Sequence, residues 1–149
     1  MIFLTVGTTD FDELVRAMDE LAPTLGEEVI AQTGRGDFIP THMEHFRFAP
    51  SLEPYYARAR LVVAHGGLGT AIEVLQRGLA LIGVSNPDRY DRHQDDLLGR
   101  LSGDGHMVWC RSLAELPEAL RHASGRTFVP YVTPPCEIAA RIRRYLGLT

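Results

Sequence analysis

Basic charge, cysteine and long apolar runs are all scarce in this chain, and each shortage removes a class of function. The 149 residues carry 15 lysines and arginines against 19 aspartates and glutamates, a formal net charge of −4 with an isoelectric point near 5.8. A nucleic-acid-binding domain normally presents a basic face, so no nucleic-acid partner is expected. No stretch approaches the roughly 18 consecutive apolar residues of a transmembrane helix. The opening Met-Ile-Phe-Leu-Thr-Val-Gly has no basic n-region and runs straight into a strand-like segment, which predicts no signal peptide. Cys110 and Cys136 stand in apolar surroundings without metal-type spacing and read as reduced packing residues of a cytosolic protein. His42 and His45 have no nearby cysteine or third ligand, so neither a metal nor a cofactor is expected. The chain also has no Gly-Lys-Ser/Thr phosphate loop, no dinucleotide glycine fingerprint and no Gly-x-Ser-x-Gly elbow.

What is present is a 45% apolar composition, enough to bury one real core, arranged in a regular alternation. Residues 2–6 form a short apolar run that stops at Gly7, as a buried parallel strand does. Asp10 and Glu13 supply a capping-box pair for a helix carrying Phe11, Leu14, Val15, Met18 and Leu21. Further strands are expected at residues 28–33, 45–49, 61–64, 79–84 and 107–110. Helices are expected at 52–59, 70–77 and 93–101, and another opens at a Ser112–Glu115 capping box with Leu116 and Leu120 inward. A last helix, about residues 135–146, is expected to lay Ile138, Ile142, Tyr145 and Leu146 against the core. No repeat or linker breaks the chain, which predicts one α/β domain over residues 1–149. Its sheet should be doubly wound, mostly parallel and Rossmann-like. Such folds bind ligands at the carboxyl ends of their strands.

The most informative segment follows the fourth strand: Ala64-His65-Gly66-Gly67-Leu68-Gly69-Thr70-Ala71-Ile72-Glu73. Three glycines let the backbone turn sharply and approach a ligand, and the unpaired amides of the next helix lie at the positive end of its dipole. A diphosphate suits that place, with Thr70 adding a hydroxyl and Glu73 a carboxylate for the two hydroxyls of a ribose. The alternative is a glycine-rich turn needed only for helix–strand packing, with Glu73 a solvated acid. Gly7-Thr8-Thr9-Asp10 either caps a helix or meets an anion or a sugar edge. His93-Gln94-Asp95 opens a helix after a polar loop; Gln94 suits sugar hydroxyls, and His93 contacts a phosphate or merely caps. Gln32-Thr33-Gly34 is a fainter candidate of the same kind.

Taken in order, residues 1–15, Gln32–Gly36, Ala64–Glu73 and His93-Gln94 resemble the glycosyltransferase family 28 C-terminal domain, and residues 105–110 with Leu116-Pro117 extend the likeness. Within that family the chain is most similar to the short, donor-binding subunit of the two-part UDP-N-acetylglucosamine transferase of dolichol-linked glycan synthesis, and to bacterial exopolysaccharide counterparts. The resemblance implies a GT-B C-terminal half in which Gly66, Gly67, Gly69, Thr70 and Glu73 hold UDP. It places His93 and Gln94 at the donor sugar and phosphates, and Gly7, Thr8 and Thr9 at the cleft between two halves. It further implies a membrane-anchored, acceptor-binding partner that recruits this subunit to the cytoplasmic face, and a lipid-linked acceptor carried by that partner. The expected function is therefore inverting transfer from a UDP-sugar, UDP-GlcNAc or a related hexose, by an enzyme active only with its partner. The alternative is a non-catalytic nucleotide-binding regulatory module. The general base is unassigned, with His65 and His93 as candidates. Two departures fall near the donor pocket: Leu79-Ala80 replaces a Lys-Pro-like pair after Gly78, and Val84-Ser85-Asn86 stands after the fifth strand, where relatives often carry a proline.

Overall fold

The computed structural model describes residues 1–88, 92–134 and 137–147, without the side chains of Arg92 and His93. Six short apolar segments form strands: β1 (Ile2–Thr5), β2 (Val29–Gln32), β3 (Glu44–Phe46), β4 (Leu61–His65), β5 (Ala80–Val84) and β6 (Val108–Cys110). They make one sheet in the order β3-β2-β1-β4-β5-β6, with all five pairings parallel. Four helices lie in the crossovers, α1 (Asp12–Leu21), α2 (Glu53–Arg58), α3 (Leu68–Gln76) and α4 (Arg92–Gly103), and α5 (Leu116–Ala123) and α6 (Ile138–Tyr145) follow the last strand.

Because strand side chains alternate, successive residues feed two cores. Ile2, Leu4 and Val6 join Leu14, Val15 and Met18 of α1 and Leu116 and Leu120 of α5. Phe3, Val62 and Leu81 point the other way, to Tyr56, Val74, Leu75, Leu98 and Leu101 of α2, α3 and α4. Both faces of the sheet are thereby covered, which explains strands that read as unbroken apolar runs.

That double cover also explains where the pattern misleads. Ile138, Ile142, Tyr145 and Leu146 do not reach the core; they are 65%, 53%, 91% and 60% exposed. α1 to α5 already cover both faces of the sheet, so no sheet face is left for α6. α1 also begins one residue later than the Asp10–Glu13 capping box predicts. Phe11 occupies the N-cap position, without a side-chain cap, because its ring is drawn into the core. The Asp12 carboxylate instead accepts the amides of Asp37 and Phe38 at 3.1 and 3.3 Å. At Ser112 the box is displaced. Leu113–Glu115 makes a 3-10 turn, and Glu115 accepts the amide of Arg111 rather than of Ser112.

Candidate functional site

The strand order reverses between β1 and β4: β2 and β3 extend to one side, β5 and β6 to the other. At such a point the loops leaving the two central strands diverge and open a crevice at the carboxyl edge. Here those loops are Gly7-Thr8-Thr9 and Gly66-Gly67.

The first loop is set by a buried polar relay. Thr5, fully buried, donates its hydroxyl to Gln32 Oε1 at 2.7 Å and accepts the Gly7 amide at 3.0 Å. Gly7 then turns with φ of +65°, a conformation that costs an L-residue about 1–2 kcal/mol. Thr9 does not cap α1; its hydroxyl returns to Val6 O at 2.8 Å. The loop after β2 locks on from the side, with Arg35 N–H donating to Thr9 O at 3.0 Å. A β-carbon on Gly34 would lie 2.2 Å from that same oxygen. Gln32 is thus a positioning group rather than a ligand contact, and Thr8 is left exposed on the crevice side of the turn.

His65 joins the two loops. Its Nδ1 accepts the Gly67 amide at 3.2 Å, so a neutral ring carries its proton on Nε2. Nε2 would lie 3.1 Å from a β-carbon on Gly7, and Cε1 would lie 2.3 Å from one on Gly67. The imidazole therefore fits because both neighbours are glycine. α3 starts immediately afterwards, and its first intrahelical bond is Ala71 N–H to Gly67 O, so the amides of Leu68, Gly69 and Thr70 precede the ladder. Glu73 stands just over a turn further along, half-exposed and 3.6 Å from Arg77, whose guanidinium is held more closely by Glu53 at 2.5 Å.

Gln94, on the first turn of α4, closes the arrangement: its Oε1 would sit 3.4 Å from a β-carbon on Gly66. Gly7, His65, Gly66, Gly67 and Gln94 thus meet at one edge of the sheet, with Thr70 and Glu73 along the neighbouring helix. The side chain of His93 lies outside the described residues. Asp95, next to Gln94 on α4, is tied to Ser85 and to Trp109, a residue that sequence reasoning did not place at the site. Trp109 Nε1 donates to Ser85 Oγ at 2.8 Å, and Ser85 Oγ donates to Asp95 Oδ1 at 2.7 Å. The departure from proline in Val84-Ser85-Asn86 was the available signal.

Other titratable groups serve structure. Burial opposes the charge of Asp19, but amide bonds from His42 and Thr41, with the nearby His42 ring, outweigh it and hold the carboxyl below its ordinary 3.8. Burial pushes the Cys110 thiol up to about 11, consistent with a packing role; Cys136 lies outside the described residues. Among the described residues no helix is long and apolar enough to cross a membrane.

Residues 1–97 match the model of the glycosyltransferase family 28 C-terminal domain, which takes in β1, the glycine-rich loop, α3 and the Gln94 turn. The chain belongs to this family. It is 35% identical over 122 residues to the UDP-N-acetylglucosamine transferase subunit ALG13 of Homo sapiens, a match covering 73% of this chain but only 11% of that protein. The solution structure of ALG13 superposes with a TM-score of 0.63 at 18% identity, covering 96% of this chain and 93% of that one. The glycosyltransferase SsfS6 of Streptomyces sp. SF2575, complexed with thymidine diphosphate, gives 0.63 at 22% identity, covering 85% and 33%. At these identities the two structures speak for the family 28 fold alone: a Rossmann-like half of the GT-B architecture.

Proposed function

We propose that this chain is the donor-binding subunit of an inverting glycosyltransferase that uses a UDP-sugar, in keeping with the UDP-N-acetylglucosamine transferase named for its human relative. One observation carries the reading. The loops after β1 and β4, the start of α3 and the first turn of α4 converge on the switch point of the sheet.

In this reading the diphosphate lies against the amides of Leu68, Gly69 and Thr70, at the positive end of α3. Glu73 accepts the ribose hydroxyls, and its loose pairing with Arg77 is the kind a ligand displaces at little cost, because an exposed ion pair contributes about 0–1 kcal/mol. Gln94 faces the sugar, and Gly7, Thr8 and Thr9 line the open side of the crevice. In the reaction an acceptor hydroxyl attacks the anomeric carbon as the bond to the diphosphate oxygen breaks. The proton goes to a general base and the electron pair leaves with UDP. Charge grows on the leaving diphosphate, where preorganised donors of this kind are worth about 2.7–4 kcal/mol each in known sites. His65 fits the donor's part better than the base's, since its Nδ1 already holds the Gly67 amide.

A crevice walled on one side leaves the acceptor and the base to a second protein. We assign these to a membrane-attached partner that presents a lipid-linked acceptor at the cytoplasmic face, and the exposed apolar side chains of α6 offer it a docking surface. The test is glycosyl transfer by the chain purified alone and co-expressed with a candidate partner, across a panel of UDP-sugars. The reading expects weak donor binding and little or no turnover alone, transfer with the partner, and a more than tenfold loss of UDP affinity in Glu73→Ala, at least about 1.4 kcal/mol. Unchanged UDP affinity in that variant contradicts the ribose assignment, and robust transfer by the single chain contradicts the division of labour.

A further inference from the structure

α4 is docked by two adjacent stripes of side chains, and only one of them faces the proposed donor site. On the first, Gln94 and Leu98 pack over glycines of the central strands: β-carbons on Gly66 and Gly83 would lie 3.1 Å from Leu98 methyls, and one on Gly66 would lie 3.4 Å from Gln94 Oε1. The second stripe is Asp95 and Gly99, again one turn apart. A β-carbon on Gly99 would lie 3.1 Å from Cζ3 of Trp109, so the indole ring lies directly under this turn of the helix. The indole N–H donates to Ser85 Oγ at 2.8 Å, the Ser85 hydroxyl donates to Asp95 Oδ1 at 2.7 Å, and the Arg111 guanidinium covers the ring 4.4 Å from its centroid. Ser85 is itself tied to the sheet through its amide, which donates to Cys110 O at 3.1 Å.

Apolar packing along Leu98 sets how closely α4 approaches the sheet but tolerates rotation about the helix axis. A directional hydrogen bond at the first turn does not, because its strength falls steeply once the donor angle is lost. We infer that the Trp109–Ser85–Asp95 relay fixes the rotation of α4, and that Ser85 and Asp95 are therefore positioning residues for Gln94, selecting for the sugar of the donor rather than for its nucleotide. The inference rests on the proposed role of Gln94, but the relay itself can be read without any ligand, because Trp109 is the only tryptophan of the chain.

The experiment compares wild type, Asp95→Ala, Asp95→Asn, Ser85→Ala and Gln94→Ala as purified full chains. Acrylamide quenching of Trp109 and calorimetric titration with UDP and with UDP-GlcNAc are measured for each. Loss of the exposed Ser85–Asp95 hydrogen bond should weaken UDP-GlcNAc relative to UDP by roughly two- to fivefold in Asp95→Ala and Ser85→Ala. UDP itself should stay within about twofold, as its contacts lie on α3. Asp95→Asn, which still accepts from Ser85, should restore both the ratio and the quenching, whereas a generic loss of fold would move UDP and UDP-GlcNAc together. Unchanged Trp109 quenching in Asp95→Ala overturns the relay. Altered quenching with an unchanged UDP-GlcNAc-to-UDP ratio, while Gln94→Ala does change that ratio, overturns the link to Gln94. Altered quenching with no effect of Gln94→Ala leaves the relay standing and removes the donor role of Gln94.

Discussion

Replacing Thr5 by valine changes almost no volume and makes a fully buried strand position more apolar, so hydrophobic reasoning alone expects a neutral or stabilising substitution. The relay through this residue predicts the reverse. Thr5 Oγ1 both donates to Gln32 Oε1 and accepts from Gly7 N–H, and valine can do neither. Gln32 is 4% exposed, so its oxygen loses its partner in a place water does not reach, at a cost of about 1–3 kcal/mol. The Gly7 amide, half-buried at the crevice, recovers part of its bond from solvent and adds about 0.5–1 kcal/mol. The sum, about 1.5–4 kcal/mol, corresponds to a fall in Tm of roughly 5–15 °C for a chain of this size. Thr5→Ser keeps both hydrogen bonds and loses one methyl, about 1 kcal/mol. Thermal unfolding followed by circular dichroism should therefore rank the proteins Thr5, then Ser, then Val. A valine variant as stable as wild type, with serine the least stable, would refute the relay and leave burial as the whole account.

Two further outcomes follow from the same geometry. Gly34→Ala combines a φ of +59° with a β-carbon 2.2 Å from the Thr9 carbonyl oxygen, a backbone atom that cannot swing aside. It should cost more than the 1–2 kcal/mol of the backbone strain alone and broaden the Gly7–Thr9 resonances in an NMR spectrum. Asp19 is held below 3.8 in the folded chain, so the stability it contributes is present above that pH and fades as the pH falls through its lower folded value. Asp19→Asn should destabilise by about 1 kcal/mol near neutrality, and urea titrations should show the gap to wild type closing below pH 3.8.

The strand and helix alternation was legible because a doubly covered sheet demands unbroken apolar strands and one-sided helices, and residues 2–6, 61–64 and 79–84 read directly in that way. The loops at Gly7 and Gly66-Gly67 were legible for a related reason: glycine between a strand and a helix marks a close approach, here around His65. The position of α6 was not. Its apolar periodicity says that one side seeks cover, but periodicity cannot say whether the cover belongs to the same chain. The start of α1 was misplaced by one residue because the burial of Phe11 puts an apolar side chain at the N-cap, a tertiary gain invisible to a local motif. The link from Asp95 through Ser85 to Trp109 was missed because residues spread over 25 positions form one relay only after β5, α4 and β6 have been laid side by side.

The central claim is that the crevice between β1 and β4 is where the donor binds, and residue-resolved NMR titration of the labelled chain with UDP tests it most directly. The account predicts saturable shifts concentrated at Gly7–Thr9, Gly66–Thr70, Glu73 and Gln94, abolished or strongly weakened in Glu73→Ala. Shifts gathered instead at the opposite edge of the sheet, where Ile2, Leu21, Arg60, Pro117 and Leu120 line a cleft of about 520 Å³, or no saturable shifts at all, would contradict it.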